Sequence, residues 1–296
     1  MSRVRVVEVG PRDGLQNEPT AVPTAVKLEL IARLAAAGLR WIEPTAFVSP
    51  RWVPQMADHA ELLAALEQAP GMHYPVLVPN LQGLERALEA GAREIAVFTA
   101  ASESFTRRNI NCGIDESLAR FAPVIARAGA LDIPVRGYVS CALGCPYEGA
   151  IAPAAVARVA ERLAALGCAE ISLGDTIGTG TPGQARAMVE TVAERVPMAR
   201  LAAHFHDTYG QALANLHAVI EAGIRTVDAS VAGLGGCPYA RGASGNVATE
   251  EVVYMLHGLG FDTGVDLPAL IETARWIGER LGRPPSRLAR ALTPAD

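Results

Sequence analysis

The chain has 296 residues, 50% of them hydrophobic, which is enough apolar material for a large core in one big α/β domain or two smaller ones. Its formal net charge of −5, without a basic cluster, argues against nucleic acid or a polybasic membrane contact as a partner. No apolar run approaches the roughly 18 residues of a membrane span, and the first residues lack the long apolar segment of a signal peptide. We therefore expect a globular, cytoplasmic protein.

A repeated unit organises the chain: a helical pattern ends at a glycine, and a short β-rich run follows within two or three residues. The clearest examples end at Gly38, Gly91, Gly167 and Gly223. In chain order, strands are predicted at 4–9, 41–47, 74–78, 94–99, 135–141, 170–175, 201–206 and 226–231. Helices are predicted at 24–37, 55–68, 81–90, 115–131, 153–166, 183–195, 210–222 and 248–258, with one more at 267–281.

Eight strands that alternate with eight helices predict an α/β fold, a (β/α)8 TIM barrel with an additional C-terminal helix. We expect residues 1–265 to form the barrel and residues 266–296 to form a C-terminal helix and tail packed on it.

A doubly wound sheet is the alternative fold, because GTGTPG at 178–183 fits the G-x-G-x-x-G pattern of dinucleotide-binding loops. The motif lies far along the chain, however, and no acidic residue ends the following strand, where a ribose partner would be expected. We therefore interpret it as a glycine turn in which Thr181 is the N-cap and Pro182 the first helical residue.

Polar residues follow several of the predicted strands, and in a barrel the chemistry gathers at these strand ends. The first strand runs into VGPRDGLQNE, the seventh ends in HFHD, and the eighth is followed by AGLGGCPYARGASGN. The polar residues at the strand ends are Arg12, Asp13, Gln16, Asn17, Glu43, Asp175, His204, His206, Cys237, Arg241 and Asn246.

His204 and His206 stand two residues apart in one strand, so their side chains point to the same face. Two imidazoles, a carboxylate from another strand end and an oxygen donor would leave open positions on a catalytic metal ion. Asp13 is the natural carboxylate and Asn246 a carbonyl donor. The alternative is that the histidines are hydrogen-bonded members of a polar core.

A barrel that makes or breaks carbon–carbon bonds needs an electron sink, either a lysine Schiff base or a metal-polarised oxygen. Lys27 is the only lysine and lies in the first predicted helix, away from any strand end, which excludes the Schiff base. Arg12 could hold a developing enolate oxygen, or it could pair with Glu43, and these two roles are compatible.

The five cysteines are odd in number and scattered, which favours reduced thiols over a disulfide framework. Cys237 lies in the glycine-rich loop after the last strand, where a tuned thiol could act as an acid or base. The alternative is a small residue that merely fits this loop.

Six stretches of the chain together resemble the motifs of one known protein family: VEVGPRDGLQNE, YPVLVPN, GYVSCALGCPYEG, EISLGDTIGTGTPG, HFHDTYGQALAN and SVAGLGGCPYARGASGNVATE. From about Val4 to Thr263 the chain thereby resembles the 3-hydroxy-3-methylglutaryl-CoA lyase family of metal-dependent barrel lyases. The loop around Cys237 is the most specific element, because related condensing synthases carry a different loop before their matching asparagine.

The resemblance implies a retro-Claisen cleavage of 3-hydroxy-3-methylglutaryl-CoA to acetyl-CoA and acetoacetate with Mg²⁺ or Mn²⁺, a reaction of leucine degradation and ketone-body formation. Arg12 would stabilise the enolate and Cys237 would protonate it or assist the proton transfer, while Asp13 or His204 would take the hydroxyl proton. The resemblance also implies the metal ligands Asp13, His204, His206 and Asn246, the supporting residues Glu43 and Asp175, and the CoA-binding residues Arg108 and Asn109, in a loop after strand four.

Three alternatives remain at this point. The first is an acyl-CoA condensing synthase of the homocitrate or isopropylmalate type, the second is a lyase for a similar 3-hydroxyacyl-CoA, and the third is a non-catalytic CoA- or metal-binding barrel. We expect a homodimer whose small-molecule partner is an acyl-CoA.

Overall fold

The computed structural model describes residues 2–236 and 245–292, and its central element is a sheet of eight parallel strands. Numbered in chain order, the barrel strands are β1 (Arg5–Glu8), β2 (Trp41–Ile42), β3 (Val76–Leu77), β4 (Ile95–Ala100), β5 (Val135–Ser140), β6 (Glu170–Asp175), β7 (Leu201–Phe205) and β8 (Thr226–Ala229). They lie side by side as β2-β1-β8-β7-β6-β5-β4-β3. Backbone hydrogen bonds join β3 to the residues that follow β2: the N–H of Phe47 donates to the C=O of Leu77 (2.7 Å), and the N–H of Leu77 donates to the C=O of Thr45 (3.2 Å). The sheet therefore closes on itself, and the predicted TIM barrel is confirmed.

Helices surround the barrel and alternate with its strands. Their apolar faces pack on the sheet, as the burial of Leu30, Leu84, Phe121, Leu163 and Leu216 shows. The helices are α1 (Thr24–Ala36), α2 (His59–Ala65), α3 (Leu81–Glu89), α4 (Glu103–Ile110), α5 (Ile114–Gly129), α6 (Pro153–Leu166), α7 (Pro182–Ala193), α8 (Ala212–Ala222), α9 (Thr249–Gly258), α10 (Leu267–Leu281) and α11 (Arg287–Ala291).

Two sequence expectations need correction. Strands β2 and β3 are shorter than predicted, because Pro44 and Pro75 have no N–H for a strand ladder. The segment after β4, expected as a loop, contains helix α4, whose N-cap is Ser102: its Oγ accepts the N–H of Phe105 (3.1 Å). The residues expected near CoA therefore lie on a helix.

The glycine motif after β6 is a turn that leads into α7. The side-chain oxygen of Gln184 accepts hydrogen bonds from both the N–H and the Oγ of Thr181, each at 3.0 Å, and Pro182 is the first helical residue. The predicted N-cap and N1 residues are thus confirmed.

Helix α10 follows the last barrel helix and packs against the barrel's outer layer. Leu270, Ala274 and Ile277 are fully buried in the main hydrophobic core. The guanidinium of Arg33 in α1 lies over the ring of Trp276 in α10, 4.7 Å from its centroid. Among the described helices, none combines the length and the apolar character that a membrane span requires.

Candidate active site

The chain leaves β1 through a π-helical turn, Gly10–Gly14. The N–H groups of Arg12, Asp13 and Gly14 all approach the C=O of Val9, at 3.2, 2.7 and 3.3 Å. Turns of this kind are rare and are often found at functional sites. Here the turn brings Arg12 and Asp13 to the carboxyl-terminal mouth of the barrel.

Asp13, His204 and His206 form a group whose metal-binding atoms all lie within 4.8 Å of one another. Oδ2 of Asp13 is 3.9 Å from Nε2 of His204 and 3.9 Å from Nε2 of His206. The two imidazoles thus share a face, as the alternation of strand side chains predicts. The arrangement suits a divalent cation that takes one carboxylate and two imidazole ligands.

The charge states in this group also suit a cation. Burial alone would raise the pKa of Asp13, but the charges of Arg12, His204 and His206 outweigh it and lower that pKa to about 2. Burial, together with the neighbouring His204, lowers the pKa of His206 to about 4. At neutral pH the group therefore offers a carboxylate and an uncharged imidazole, the forms that bind metal ions.

Asn246 lies beside this group because its backbone bridges to His206. Its side-chain Nδ2 donates to Oδ2 of Asp13 (2.7 Å) and to the C=O of Leu234 (3.2 Å). The side-chain oxygen of Asn246, which we expect to be a metal ligand, therefore points away from Asp13, because the amide nitrogen faces that carboxylate. A half turn of the amide about its Cβ–Cγ bond would bring the oxygen to the same place.

Arg12 is held between two carboxylates. Its Nη1 donates to Oδ1 of Asp13 and its Nη2 to Oε2 of Glu43, both at 2.7 Å, so the predicted ion pair with Glu43 is present. The hydroxyl of Tyr138 donates to the same oxygen of Glu43 (3.1 Å). Burial alone would lower the pKa of Arg12, but Glu43 and Asp13 raise it above its ordinary value. The guanidinium is therefore permanently charged.

Among the buried polar side-chain atoms that have no hydrogen-bond partner in the described part of the chain, three belong to the residues of this site: Nε of Arg12, Oε1 of Glu43 and Nδ1 of His206. Buried polar atoms are nearly always paired in folded proteins. A catalytic role or a bound water or ion is the usual explanation for buried atoms left without a partner.

Sequence reasoning missed a layer of polar residues inside the barrel, below the mouth. Arg136 of β5 makes two hydrogen bonds to Asp228 of β8, at 2.6 and 3.1 Å, and one to the hydroxyl of Tyr138 (2.7 Å). Oδ2 of Asp228 is 3.2 Å from Nδ1 of His204. The available signal was a charged residue within each of two apolar strands, VRGYVS and TVDA.

Asp175 ends β6, as predicted, but its carboxylate faces the glycine turn. It accepts the N–H of Gly178 (3.2 Å) and the N–H of Gly180 (2.8 Å). Burial raises its pKa, although these backbone hydrogen bonds oppose the rise. Asp175 therefore helps to fix the backbone of the glycine turn, which lies next to the end of β7.

The remaining expected residues lie elsewhere. Arg108 and Asn109 are on α4, and the guanidinium of Arg108 lies over the ring of Tyr147, 4.4 Å from its centroid. Cys237 and Arg241 fall in segment 237–244, outside the described residues. The thiol expected to serve the reaction therefore has no described geometry.

Comparison with known proteins places the chain in a family. The model of the HMGL-like family matches residues 3–277. The cytoplasmic 3-hydroxy-3-methylglutaryl-CoA lyase of Mus musculus is 62% identical over 274 residues, 93% of this chain and 80% of that protein. The mitochondrial hydroxymethylglutaryl-CoA lyase of Gallus gallus is 61% identical over 281 residues, 95% of this chain and 94% of that protein. The crystal structure of hydroxymethylglutaryl-CoA lyase from Pseudomonas aeruginosa is 57% identical, with a TM-score of 0.96, over 98% of this chain and 97% of that one. The chain therefore belongs to the HMGL-like family.

Proposed function

We propose that this protein cleaves 3-hydroxy-3-methylglutaryl-CoA to acetyl-CoA and acetoacetate. The observation that carries the proposal is the convergence of Asp13, His204 and His206 beside the Arg12 guanidinium, at the mouth of a barrel of this family. Relatives about 60% identical over almost the whole chain are named for this reaction, which supports the same assignment here.

A divalent cation, Mg²⁺ or Mn²⁺, is the proposed cofactor. Asp13, His204 and His206 would hold it, and Asn246 would add an oxygen ligand once its amide has turned. Their mixed carboxylate and imidazole donors fit such an ion. When bound, the cation acts as a Lewis acid that lowers the pKa of the substrate's tertiary hydroxyl.

The side chains then divide the remaining steps. Asp13 takes the hydroxyl proton, because a His204 that binds the cation through Nε2 and directs Nδ1 at Asp228 has no free nitrogen for this role. The bond between C2 and C3 then breaks, C3 becomes the ketone of acetoacetate, and the electron pair of the broken bond passes to C2 of the thioester fragment. Arg12, fixed by Glu43, places its positive charge against the resulting enolate oxygen. The thiol of Cys237 returns a proton to C2, which completes the methyl group of acetyl-CoA.

Helix α4 is the proposed contact for the CoA moiety through Arg108 and Asn109. Arg108 lies on α4, which follows β4 on the side of the barrel mouth, and its guanidinium stacks on Tyr147, which follows β5. We expect Arg108→Ala to raise the KM for the acyl-CoA several-fold with little change in kcat, because the contact is made equally in the ground and transition states. Initial rates over a range of substrate concentrations measure this; an unchanged KM would contradict the contact.

A cytoplasmic location and a homodimer complete the proposal. The four cysteines in the described part of the chain are buried. The full sequence has five cysteines, an odd and scattered set that suits a reducing compartment. The relatives' names include both a cytoplasmic and a mitochondrial form. Fractionation of the source cells tests the location, and sedimentation equilibrium tests the dimer.

Product analysis tests the reaction itself. The purified protein is freed of metal with a chelator, given Mg²⁺ or Mn²⁺, and incubated with 3-hydroxy-3-methylglutaryl-CoA. It is then expected to form acetoacetate and acetyl-CoA in equal amounts. The chelated protein is expected to form neither product. In a second incubation the protein is given acetyl-CoA and a 2-oxo acid. Release of free CoA there, without acetoacetate formation in the first incubation, would instead identify a condensing synthase.

A further inference from the structure

Asp228 contacts the nitrogen of His204 that faces away from Asp13. Its Oδ2 is 3.2 Å from Nδ1 of His204, and the same oxygen accepts the hydroxyl of Ser172 (2.8 Å). Two hydrogen bonds from Arg136 hold the carboxylate of Asp228 from below, and the side chain of Asp228 is completely buried. Asp228 thus has a fixed position from which to act on the imidazole.

We propose that Asp228 is a positioning residue that fixes the tautomer and ring orientation of His204. A carboxylate in an ion pair with arginine has no proton to donate, so Nδ1 must carry the hydrogen of this contact. The lone pair of the neutral ring then lies on Nε2, the atom 3.9 Å from Oδ2 of Asp13. A carboxylate behind a metal-binding histidine also raises the basicity of the ring. The inference rests on the proposed function only through the role of His204 as a metal ligand.

His206 has no such support. Its Nδ1 is buried and lacks a hydrogen-bond partner among the described residues. The two imidazoles therefore differ: His204 is oriented before a ligand arrives, whereas nothing in the described structure selects the tautomer of His206. Replacement of Asp228 should therefore weaken metal binding through its effect on His204.

Asp228 also neutralises Arg136, so a structural role must be separated from a positioning role. Glu170 offers the matched control, because its Oε1 accepts from Nε of the same arginine at 2.7 Å. It stands at the start of β6, while the position of β6 paired with His204 is Gly174, about 13 Å further along the strand. Glu170→Gln thus removes a carboxylate from Arg136 without removing a partner of His204.

The first experiment titrates the metal-free protein with Mn²⁺ by calorimetry. Asp228→Asn is expected to weaken binding by about 10- to 100-fold, the usual effect of losing a partner of a metal-binding histidine. Glu170→Gln is expected to bind Mn²⁺ with a Kd within about threefold of the wild-type value, because it changes neither a metal ligand nor a hydrogen-bond partner of one. Equal losses in both variants, or no loss in Asp228→Asn, would overturn the proposal.

A second experiment uses the wild-type protein and so does not depend on the folding of a variant. Nitrogen NMR of the imidazoles in metal-free protein, at mildly alkaline pH, reports which ring nitrogen carries the proton, and His204→Gln assigns the signal. The expected result is a proton on Nδ1 of His204; a proton on Nε2 would overturn the proposal. This measurement needs neither metal nor turnover, so it is distinct from a failure of the proposed reaction, which product analysis would reveal.

Discussion

Arg12 combines a permanent charge with a fixed direction. Two carboxylates hold its terminal nitrogens at 2.7 Å, while its Nε stays unpaired among the described residues. The guanidinium therefore needs no rearrangement when negative charge develops on a substrate oxygen beside it. Charge stabilisation of this preorganised kind is usually the largest single contribution to catalysis.

Replacement of Arg12 should consequently affect turnover more than binding. Arg12→Gln is expected to reduce kcat by about 10²- to 10³-fold while KM changes little, because the lost interaction strengthens only as the enolate forms. Initial rates of acetoacetate formation measure this. Arg186→Gln, on the exposed face of α7, is the control and should keep wild-type rates. Wild-type turnover in Arg12→Gln would remove Arg12 from the mechanism.

Cys237 can be tested by its reactivity, since the other four cysteines are buried. Cys237→Ala is expected to lower kcat by about 10²- to 10⁴-fold, the usual contribution of a general acid. It should also protect the remaining activity from thiol reagents, whereas Cys112→Ala should not. The time course of inactivation is the measurement, and unchanged inactivation of Cys237→Ala would point to another cysteine.

Strand alternation predicts that His204 and His206 share a face, and the gathering of strand ends at the mouth of a barrel predicts that Asp13 meets them. Neither argument reaches every detail of the site. They could not predict the orientation of the Asn246 amide, which depends on a contact with Leu234 made only in the folded chain. Nor did they find Asp228, because attention to strand ends leaves out the layer inside the barrel. A charged residue within an apolar strand is stable there only with a partner from another strand, and that partner is set by the fold.

Among the elements, the turn between β6 and α7 has the closest link to the site. Gly178 has a φ of +64°, and a Cβ at this position would lie 2.7 Å from the N atom of Thr208 and 2.8 Å from the O atom of His206. These are backbone atoms directly after β7, so they cannot move aside as a flexible side chain could. The turn and the end of β7 therefore fit together only with glycine at this position.

Two glycines of the same motif give a matched pair of variants. Gly178→Ala is expected to cost about 1–3 kcal/mol of unfolding free energy, because it forces a non-glycine residue into the left-handed region and against His206. It should also weaken Mn²⁺ binding. Gly183→Ala meets no atom within 4 Å and lies in α7, so it should be neutral or stabilise by up to about 1 kcal/mol. Denaturant unfolding compares them; equal stabilities would contradict this account of the turn.

The element boundaries show where sequence patterns fail. The predicted strand at 41–47 is cut short at Ile42, shortly before Pro44, and Pro75 immediately precedes β3. Helix α4 was missed because only Phe105 and Thr106 of its eight residues are buried, which leaves no apolar periodicity to detect. Its remaining signals were the Ser102 N-cap and an acidic residue in the first turn, both of which are weaker than a repeated apolar face.

For the whole molecule, binding of a cation should stabilise the fold, because its proposed ligands come from distant parts of the chain. Mn²⁺ at about 100 times its Kd is expected to add about 2.7 kcal/mol, which raises Tm by several degrees. His206→Ala should lose this rise, whereas His217→Ala, on the exposed face of α8, should keep it. Thermal unfolding with Mn²⁺ and with chelator measures the effect; a wild-type rise in His206→Ala would mean that its imidazole is only structural.

The hydrogen bond from Asn246 to Asp13 joins residues 233 positions apart, near the two ends of the barrel sequence. During synthesis the ribosome must therefore release nearly the entire polypeptide before the two can meet. An unfinished or prematurely terminated product would hold the arginine and aspartate of the first turn without the asparagine that follows the eighth strand. Activity would thus appear only when the ring of strands is complete, and fragments could not cleave the carbon–carbon bond of the acyl-CoA substrate in the cell.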